Sequence, residues 1–334
     1  MQLFDSLPFL NSTCRIWFIT NIYNGTMISS HSNKGSTTVH SVEDHLRWAS
    51  MREVIGDKRM GNQLEKLKYG VRYYLSRDVR ANFLLKVANS HFGRTLFESS
   101  PTNFYVPLRS YLDNRFTVRE RFDACIKDVE AAKSKFGELH SAHLLLGGSI
   151  TLMRIENFSV DLQMNRVSRH EGFWALSVKD ESDKPISNLS FGFLDASTIL
   201  IASVQGIKDS SRNILELNKK LTKESFGFRP QNLLIATLQS LCGVWNIENL
   251  IGIDPKHQVK RRINTERQGF KFDYIGFWNE LGASKNFSGY WNLSSETPIR
   301  ALSDIPSHKR SQYKKRNALL EQMNLNTHSL FENN

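Results

Sequence analysis

The sequence predicts a mixed protein of the α+β / α/β class: a helical N-terminal region, then a mixed sheet flanked by helices. Three observations predict it. From Val42 to about Phe136, apolar residues recur at helical spacing. After Gly147-Gly148, short β-branched runs at hairpin-like spacing replace them. The stretch Ile199 to Asp254 then reads strand, helix, helix, strand.

Taken in order, Leu7 to Ile28 is fairly apolar, but Asn11, Arg15, Asn21 and Asn24 interrupt it, so neither a signal peptide nor a membrane span is expected. Residues 29–41 form a polar linker without periodicity. In the helical region Leu64, Leu67, Val71 and Tyr74 make one stripe, and Val118, Phe122, Ile126 and Val129 another. Phe104 to Leu108, with Pro107 inside, reads as a break between helices. Strands are expected at 150–155, 160–164, 173–178, 189–193 and 199–204, with Gln205-Gly206 as a stop. Pro230 suits a first helical position, which makes Arg229 the cap of a helix apolar almost all round. Asn249 to Ile253 is the next strand, stopped by Asp254-Pro255. A helix near Phe277 to Leu281, a last strand within Ser288 to Leu293 and a basic helix from Ile305 to Met323 follow. The chain divides accordingly into 1–41, 42–146, 147–300 and 301–334.

Composition narrows the partners. The 334 residues are 40% hydrophobic, enough for a sizeable core, and carry a net charge of +11. Such a surface attracts nucleic acid, anionic lipid headgroups or an acidic carrier protein. Three widely spaced cysteines, Cys14, Cys125 and Cys242, suggest no disulfide framework and no cysteine zinc site, and a reducing cytoplasm is the simplest compartment. No metal-ligand spacing, nucleophile signature or phosphate loop occurs, so no metal is expected.

Geometry then points to a site. Two strands joined through a helix are most simply parallel neighbours with a right-handed crossover. The helix feeding the second strand starts at the C-terminal edge of the sheet, beside Gln205, Gly206 and Asp254, where open α/β sheets bind ligands. Its N-terminus suits a phosphate or carboxylate, with Arg229 as a fixed cation and Gln231 in the first turn. The plain alternative is a structural crossover with a surface arginine. His257 and Asp254, just past a strand end, are the first candidates for a base; Glu171, beside His170 in a turn, is the second. Tyr274 and Trp278 read as core aromatics before pocket lining.

Four runs in order carry a family resemblance: Val204-Gln205-Gly206; Gly227 to Leu234 (GFRPQNLL); Phe272-Asp273-Tyr274 with Phe277 to Gly282; and Ser307 to Arg316 with Ala318-Leu319-Leu320. Together they resemble the VirK/YbjX family of Gram-negative bacteria over roughly Val42 to Met323. The resemblance implies association with the cell envelope, virulence and tolerance of cationic antimicrobial peptides, and brings no catalytic residues. Family members often carry His-Val-Tyr-Arg after the strand that ends here at Ile253. This chain has Lys256-His257-Gln258-Val259-Lys260, so either His257 or Gln258 takes the histidine's place.

The inferred strand order is also similar to the acyl-CoA N-acyltransferase (GNAT) fold. That likeness implies a donor pyrophosphate at Arg229-Pro230-Gln231. The usual glycine-rich loop is missing, since only Gly227 lies nearby, so an acyl group on an acidic acyl carrier protein suits the basic surface better than one on coenzyme A. The expectation is an acyltransferase using an acyl-carrier or acyl-thioester donor, cytoplasmic and peripheral to the inner membrane. The alternative is a non-catalytic adaptor that binds anionic lipid through the basic runs Lys256 to Lys271 and Lys309 to Arg316; nucleic-acid binding ranks third.

Overall fold

A computed structural model describes residues 46–55, 63–207, 209–260 and 272–332. The polar linker and most of the basic run that ends at Lys271 lie outside the described residues.

The helical region comprises α1 (Met51–Ile55), α2 (Gln63–Leu75), α3 (Arg77–Ala88), α4 (His91–Glu98), α5 (Tyr105–Arg109) and α6 (Val118–Leu145). A capping box starts α6: the Thr117 side chain accepts from the Glu120 N–H, and Glu120 reaches back to the Thr117 N–H. The stretch expected as a break is itself helical. A 3₁₀ turn at Pro101–Phe104 runs into α5, and Pro107 fits because it falls in the first turn, where no intrahelical N–H bond is lost.

Eight strands follow in one sheet, ordered β1-β2-β3-β4-β5-β6-β8-β7. The meander is β1 (Ser149–Ile155), β2 (Phe158–Met164), β3 (Trp174–Lys179), β4 (Pro185–Phe193) and β5 (Thr198–Gly206), all antiparallel. Helices α7 (Ile214–Glu224) and α8 (Pro230–Val244) then lead to β6 (Asn249–Gly252), which pairs parallel with β5. After α9 (Tyr274–Glu280), the hairpin β7 (Ser284–Lys285) and β8 (Trp291–Leu293) closes the sheet, with β8 beside β6. The C-terminal α10 (Ser307–Phe331) runs two turns past its expected end, burying Thr327 and Phe331; Thr327 and Ser240 of α8 share a 2.6 Å hydroxyl bond.

The expected strands are present, most of them longer than the apolar runs that announced them. Gln205 and Gly206 are the last residues of β5 rather than a stop beyond it. The register gives the sheet two unlike faces. Leu162, Leu176, Leu189 and Val204 pair across β2 to β5 and point to one side. All four are buried in the hydrophobic core, and α8, which lies over β3, β4 and β5, supplies their cover. Their immediate neighbours Asp161, Ser177, Asn188 and Gln205 point the other way, and they are polar.

Candidate functional site

β5 and β6 pair only from Thr198 to Ile201, extended by the Ile253 N–H to the Ile201 carbonyl at 2.9 Å. Beyond that point β6 leaves, and β5 continues to Gly206 paired on its other edge with β4. Its bare edge is closed by side chains. The Tyr274 hydroxyl accepts from the Val204 N–H at 3.1 Å and donates to the Val204 carbonyl at 2.9 Å, so one phenol stands in for a strand. Burial raises that phenol to about 12, so it stays protonated. The Gln258 amide reaches the Ala202 carbonyl at 3.5 Å. Trp278 donates to the Ile253 carbonyl at 3.1 Å. Gly252 makes room for that ring, since a Cβ there would come within 2.8 Å of it.

A charged network lies where β5 runs free. Glu171, 1% exposed, accepts from Ser203 Oγ at 2.9 Å and pairs with Lys260 at 3.2 Å. Lys260 also donates to Gln205 Oε1 at 3.1 Å, which ties a residue expected at the site to the second candidate base. Burial raises the Glu171 carboxyl above its ordinary range, and Lys260 only partly offsets this. Gly172 (φ +107°) permits the turn that holds Glu171 there; a Cβ would meet the Phe191 carbonyl oxygen at 2.1 Å.

Asp254 and His257 occupy a neighbouring cluster. Burial alone would raise Asp254, but Lys285 at 2.6 Å and the Lys256 N–H outweigh it and hold the carboxyl below its usual range. The imidazole of His257 turns toward Gly289 and Arg115, not toward β5; burial and Arg115 lower it, so it is neutral, and its buried Nδ1 has no partner among the described residues. Gln258 is the residue of this turn that reaches β5. The loop after α5 clamps the turn: the Asn114 N–H donates to the His257 carbonyl at 2.9 Å, and Asp113 binds both Arg115 and the Tyr290 hydroxyl at 2.7 Å.

The start of α8 opens onto a groove of about 550 Å³, lined by Lys219 and Lys223 of α7, Gly227, Arg229, Gln231 and Gln312 of α10 among others. Arg229 is the N-cap residue, and its side chain makes no cap bond; it pairs instead with Glu280 at the end of α9. The first-turn N–H groups of α8 are therefore not capped by it, the arrangement that favours an anion. Gly206 stands in open space, with nothing within 4 Å of a Cβ built on it, so close backbone approach does not explain it. The expected residues thus fall into three groups: Arg229 and Gln231 at the groove, Gln205 with Glu171 at the free end of β5, and Asp254 and His257 beyond it.

Sequence reasoning missed a row of polar residues. Asp161, Ser177, Asn188 and Gln205 pair in register across β2 to β5 on the face opposite the leucines. Asp161, Ser177 and Asn188 are buried. Asp161 Oδ1, Ser177 Oγ, Asn188 Oδ1 and Gln205 Nε2 have no hydrogen-bond partner among the described residues. A buried polar group left so costs about 1–3 kcal/mol, and native chains keep few. The signal existed as period-2 alternation, which reads equally as a solvent face.

The fold and site define an α+β protein with a meander, a parting parallel pair and a groove at a helix start. By sequence, the chain belongs to the family of proteins of unknown function DUF535, which matches residues 58–329. It is 34% identical over 224 residues to an uncharacterized protein of Haemophilus influenzae, covering 67% of this chain and 75% of that one. Over 199 residues (59% of this chain, 85% of the relative) it is 28% identical to the membrane protein LapB of Mannheimia haemolytica. The uncharacterized protein YbjX of Escherichia coli K12 is 20% identical over 171 residues, half of each chain (50% and 51%). These relatives bear out the VirK/YbjX resemblance. No solved structure matches. Among the described residues, no helix is long and apolar enough to cross a membrane.

Proposed function

We propose that this protein is an acyltransferase of the GNAT-like kind, working at the cytoplasmic face of the envelope on an acyl thioester carried by an acidic carrier protein or coenzyme A. The observation that carries the reading is the parting of β5 and β6 beside the start of α8. That is where this architecture would hold a donor's phosphate. The groove there brings uncapped N–H groups together with Lys219, Lys223 and Arg229. The relative named a membrane protein supports a place at a membrane.

In this reading an acceptor hydroxyl or amine attacks the thioester carbonyl. A C–O or C–N bond forms, the C–S bond breaks, the acceptor's proton passes to the Glu171 carboxylate, and the leaving thiolate takes that proton. Glu171 suits the base better than His257 because it lies at the free end of β5 and burial brings its carboxyl nearer to neutrality. Asp254, held ionised by Lys285, acts by fixing the turn.

A second reading, anionic lipid binding without transfer, is favoured by one observation. Tyr274 already occupies the β5 edge along which a donor arm would run. Lys309, Arg310, Lys314 and Lys315 near the start of α10 would then meet headgroups.

Mass spectrometry of material co-purifying with the native protein and with Arg229→Ala separates the two. An acyl carrier or acyl thioester held by the native protein and lost in the variant supports transfer. Phospholipid enrichment that survives the substitution, with no thioester, overturns it in favour of the lipid reading.

A further inference from the structure

The turn of the β7–β8 hairpin holds an aromatic ring out in water. Phe287 at its tip is fully exposed, at 113%, whereas the other exposed aromatic side chains among the described residues, Tyr73 and Tyr74, stand at 37% and 45%. Single apolar side chains are common on protein surfaces. This one differs in how firmly it is presented. The Asn286 N–H donates to the Tyr290 carbonyl at 2.8 Å, the Gly289 N–H to the Asn286 carbonyl at 3.0 Å, and the Tyr290 N–H to Asn286 Oδ1 at 3.0 Å. Arg115 donates to the Ser288 carbonyl at 2.6 Å, and its guanidinium lies 4.7 Å from the centre of the Tyr290 ring. The backbone is therefore fixed, and a side chain so exposed rests on nothing. The charges beside the turn are sorted by depth. Asp113 and Asp254 are buried, with 0% and 3% of their side chains exposed, while their partners Arg115 and Lys285 are exposed to 37% and 47%. Lys256, whose N–H bonds Asp254, is exposed as well. The acids face the interior, and the cations face water.

We infer that this turn is a membrane anchor: the Phe287 ring enters the interface of an anionic bilayer, and Arg115, Lys285 and Lys256 meet the headgroups. A single ring on a projecting tip suits a fluid phase that closes around it. A protein partner or a second copy of the chain would need a far larger patch, about 800 Å² a side for a standard interface against about 200 Å² for one such ring. The ring's neighbours Asn286, Ser288 and Gly289 are polar or small and do not extend it. Cations facing an anionic surface add to the attraction, and salt screens that part of it. The inference rests on the membrane placement proposed above and not on acyl transfer. It also gives the chain an orientation. Gly252, Trp291 and Lys285 lie side by side across β6, β8 and β7, and β5 runs parallel to β6. The turn therefore stands at the end of the sheet that carries Glu171 and Lys260, and an anchored chain turns that end to the bilayer.

Vesicle flotation with the full chain tests it, using vesicles of phosphatidylglycerol and phosphatidylcholine in equal parts and vesicles of phosphatidylcholine alone. The expected result is binding to the mixed vesicles and weaker binding to the neutral ones. Phe287→Ser should bind about tenfold more weakly or worse, the low end for returning a buried phenyl ring to water, with thermal unfolding unchanged. Phe287→Trp should keep the affinity, and lipids brominated on their chains should quench its fluorescence beyond any quenching of the native protein. Native binding that Phe287→Ser leaves unchanged, but that Lys309→Glu with Lys314→Glu abolishes, overturns the anchor and leaves the membrane placement to α10. No binding of the native protein to either vesicle overturns the anchor and the placement together. A Phe287→Ser variant that binds as the native protein does but changes its oligomeric state overturns the anchor in favour of a second copy. Equal binding to both kinds of vesicle overturns the part assigned to the cations.

Discussion

Asn188 and Leu189 are neighbours on one strand, both buried, and they belong to different parts of the molecule. Leu189 points into a layer of leucine and valine closed by α8, where every contact is dispersive and every atom has a partner. Asn188 points into a layer of equal depth where four polar atoms have none among the described residues. The leucine side is what a sheet needs in order to fold. The polar side works against stability, and a chain that keeps such a side gains something other than stability from it. The same contrast exists within the polar side. Asp128 of α6 is buried beneath Gly192 and accepts from Tyr111 Oη, Trp174 Nε1 at 3.1 Å and the Phe193 N–H at 2.7 Å, whereas Asp161 keeps one oxygen idle. Asp128 is fully satisfied; Asp161 is left half free.

The largest effect is expected on the leucine side. Leu189→Ala should destabilise by about 2–5 kcal/mol, the range for a large-to-small change in a packed core, as measured by denaturant unfolding. A loss below about 1 kcal/mol would mean that α8 collapses onto the gap and that the layer is less rigid than its packing implies.

Next comes a pair of buried groups that oppose each other. Burial raises Asp128 to about 7 despite its donors, and burial lowers His170 to about 4. The folded chain therefore holds a proton on Asp128 that the unfolded chain releases, so its contribution is present at acid pH and lost as pH rises from about 4 to about 7. His170 works the other way: the unfolded chain takes up a proton that the folded one refuses, so its contribution is present above about 6.5 and lost as pH falls toward 4. Each slope is at most about 1.4 kcal/mol per pH unit, and in the native protein they nearly cancel. Asp128→Asn should leave stability that rises from pH 4 to 6.5, and His170→Gln stability that falls over the same range. Parallel profiles for the two variants would show that neither group titrates as its surroundings dictate.

The two faces also differ in how readable they are. The leucine face was legible because Ile199 to Val204, Asn249 to Ile253 and the Leu233-Leu234-Ile235-Ala236 core of α8 are apolar runs with breakers at their ends. Arg229 was legible as a cap because Pro230 follows it. The polar row was not, because Asp161-Leu162-Gln163 and Ser187 to Ser190 alternate as a half-exposed strand does, and only pairing across four strands shows the polar members aligned and buried. Lys260 was hidden in a basic run that reads as a solvated patch, though its charge is spent on Glu171. The β7 pair, Ser284 and Lys285, is too short to carry a pattern at all.

A smaller change, opposite in sign, follows from Asn188→Leu. Replacing a buried amide whose oxygen has no partner among the described residues by a side chain of similar volume removes a desolvation penalty, so stability should hold or rise by about 1 kcal/mol, read in the same unfolding experiment as Leu189→Ala. Opposite signs at adjacent residues would establish the division of labour between the faces. A loss comparable to that of Leu189→Ala would instead place Asn188 in the fold's own support.

The smallest effect on stability is expected at Arg229, although it lies in the groove proposed to hold the donor. Its pairing with Glu280 is made by two side chains that are about half exposed, 55% and 46%, and pairs of that kind contribute about 0–1 kcal/mol. Arg229→Ala should therefore leave thermal unfolding almost unchanged while reducing retention of an anionic donor. The Glu280 carboxyl, held below its ordinary range chiefly by the Arg229 hydrogen bond, should return toward that range in the variant, which carbon-detected NMR titration of the side chain would follow. In the native protein the same titration, run with an acyl carrier present, distinguishes two uses of the arginine. If the donor's phosphate draws Arg229 away from Glu280, the carboxyl rises on binding as it does in the variant. If the pair stays intact, Arg229 serves to hold α9 against the start of α8, and the anion is held by the helix N–H groups with Lys219 and Lys223.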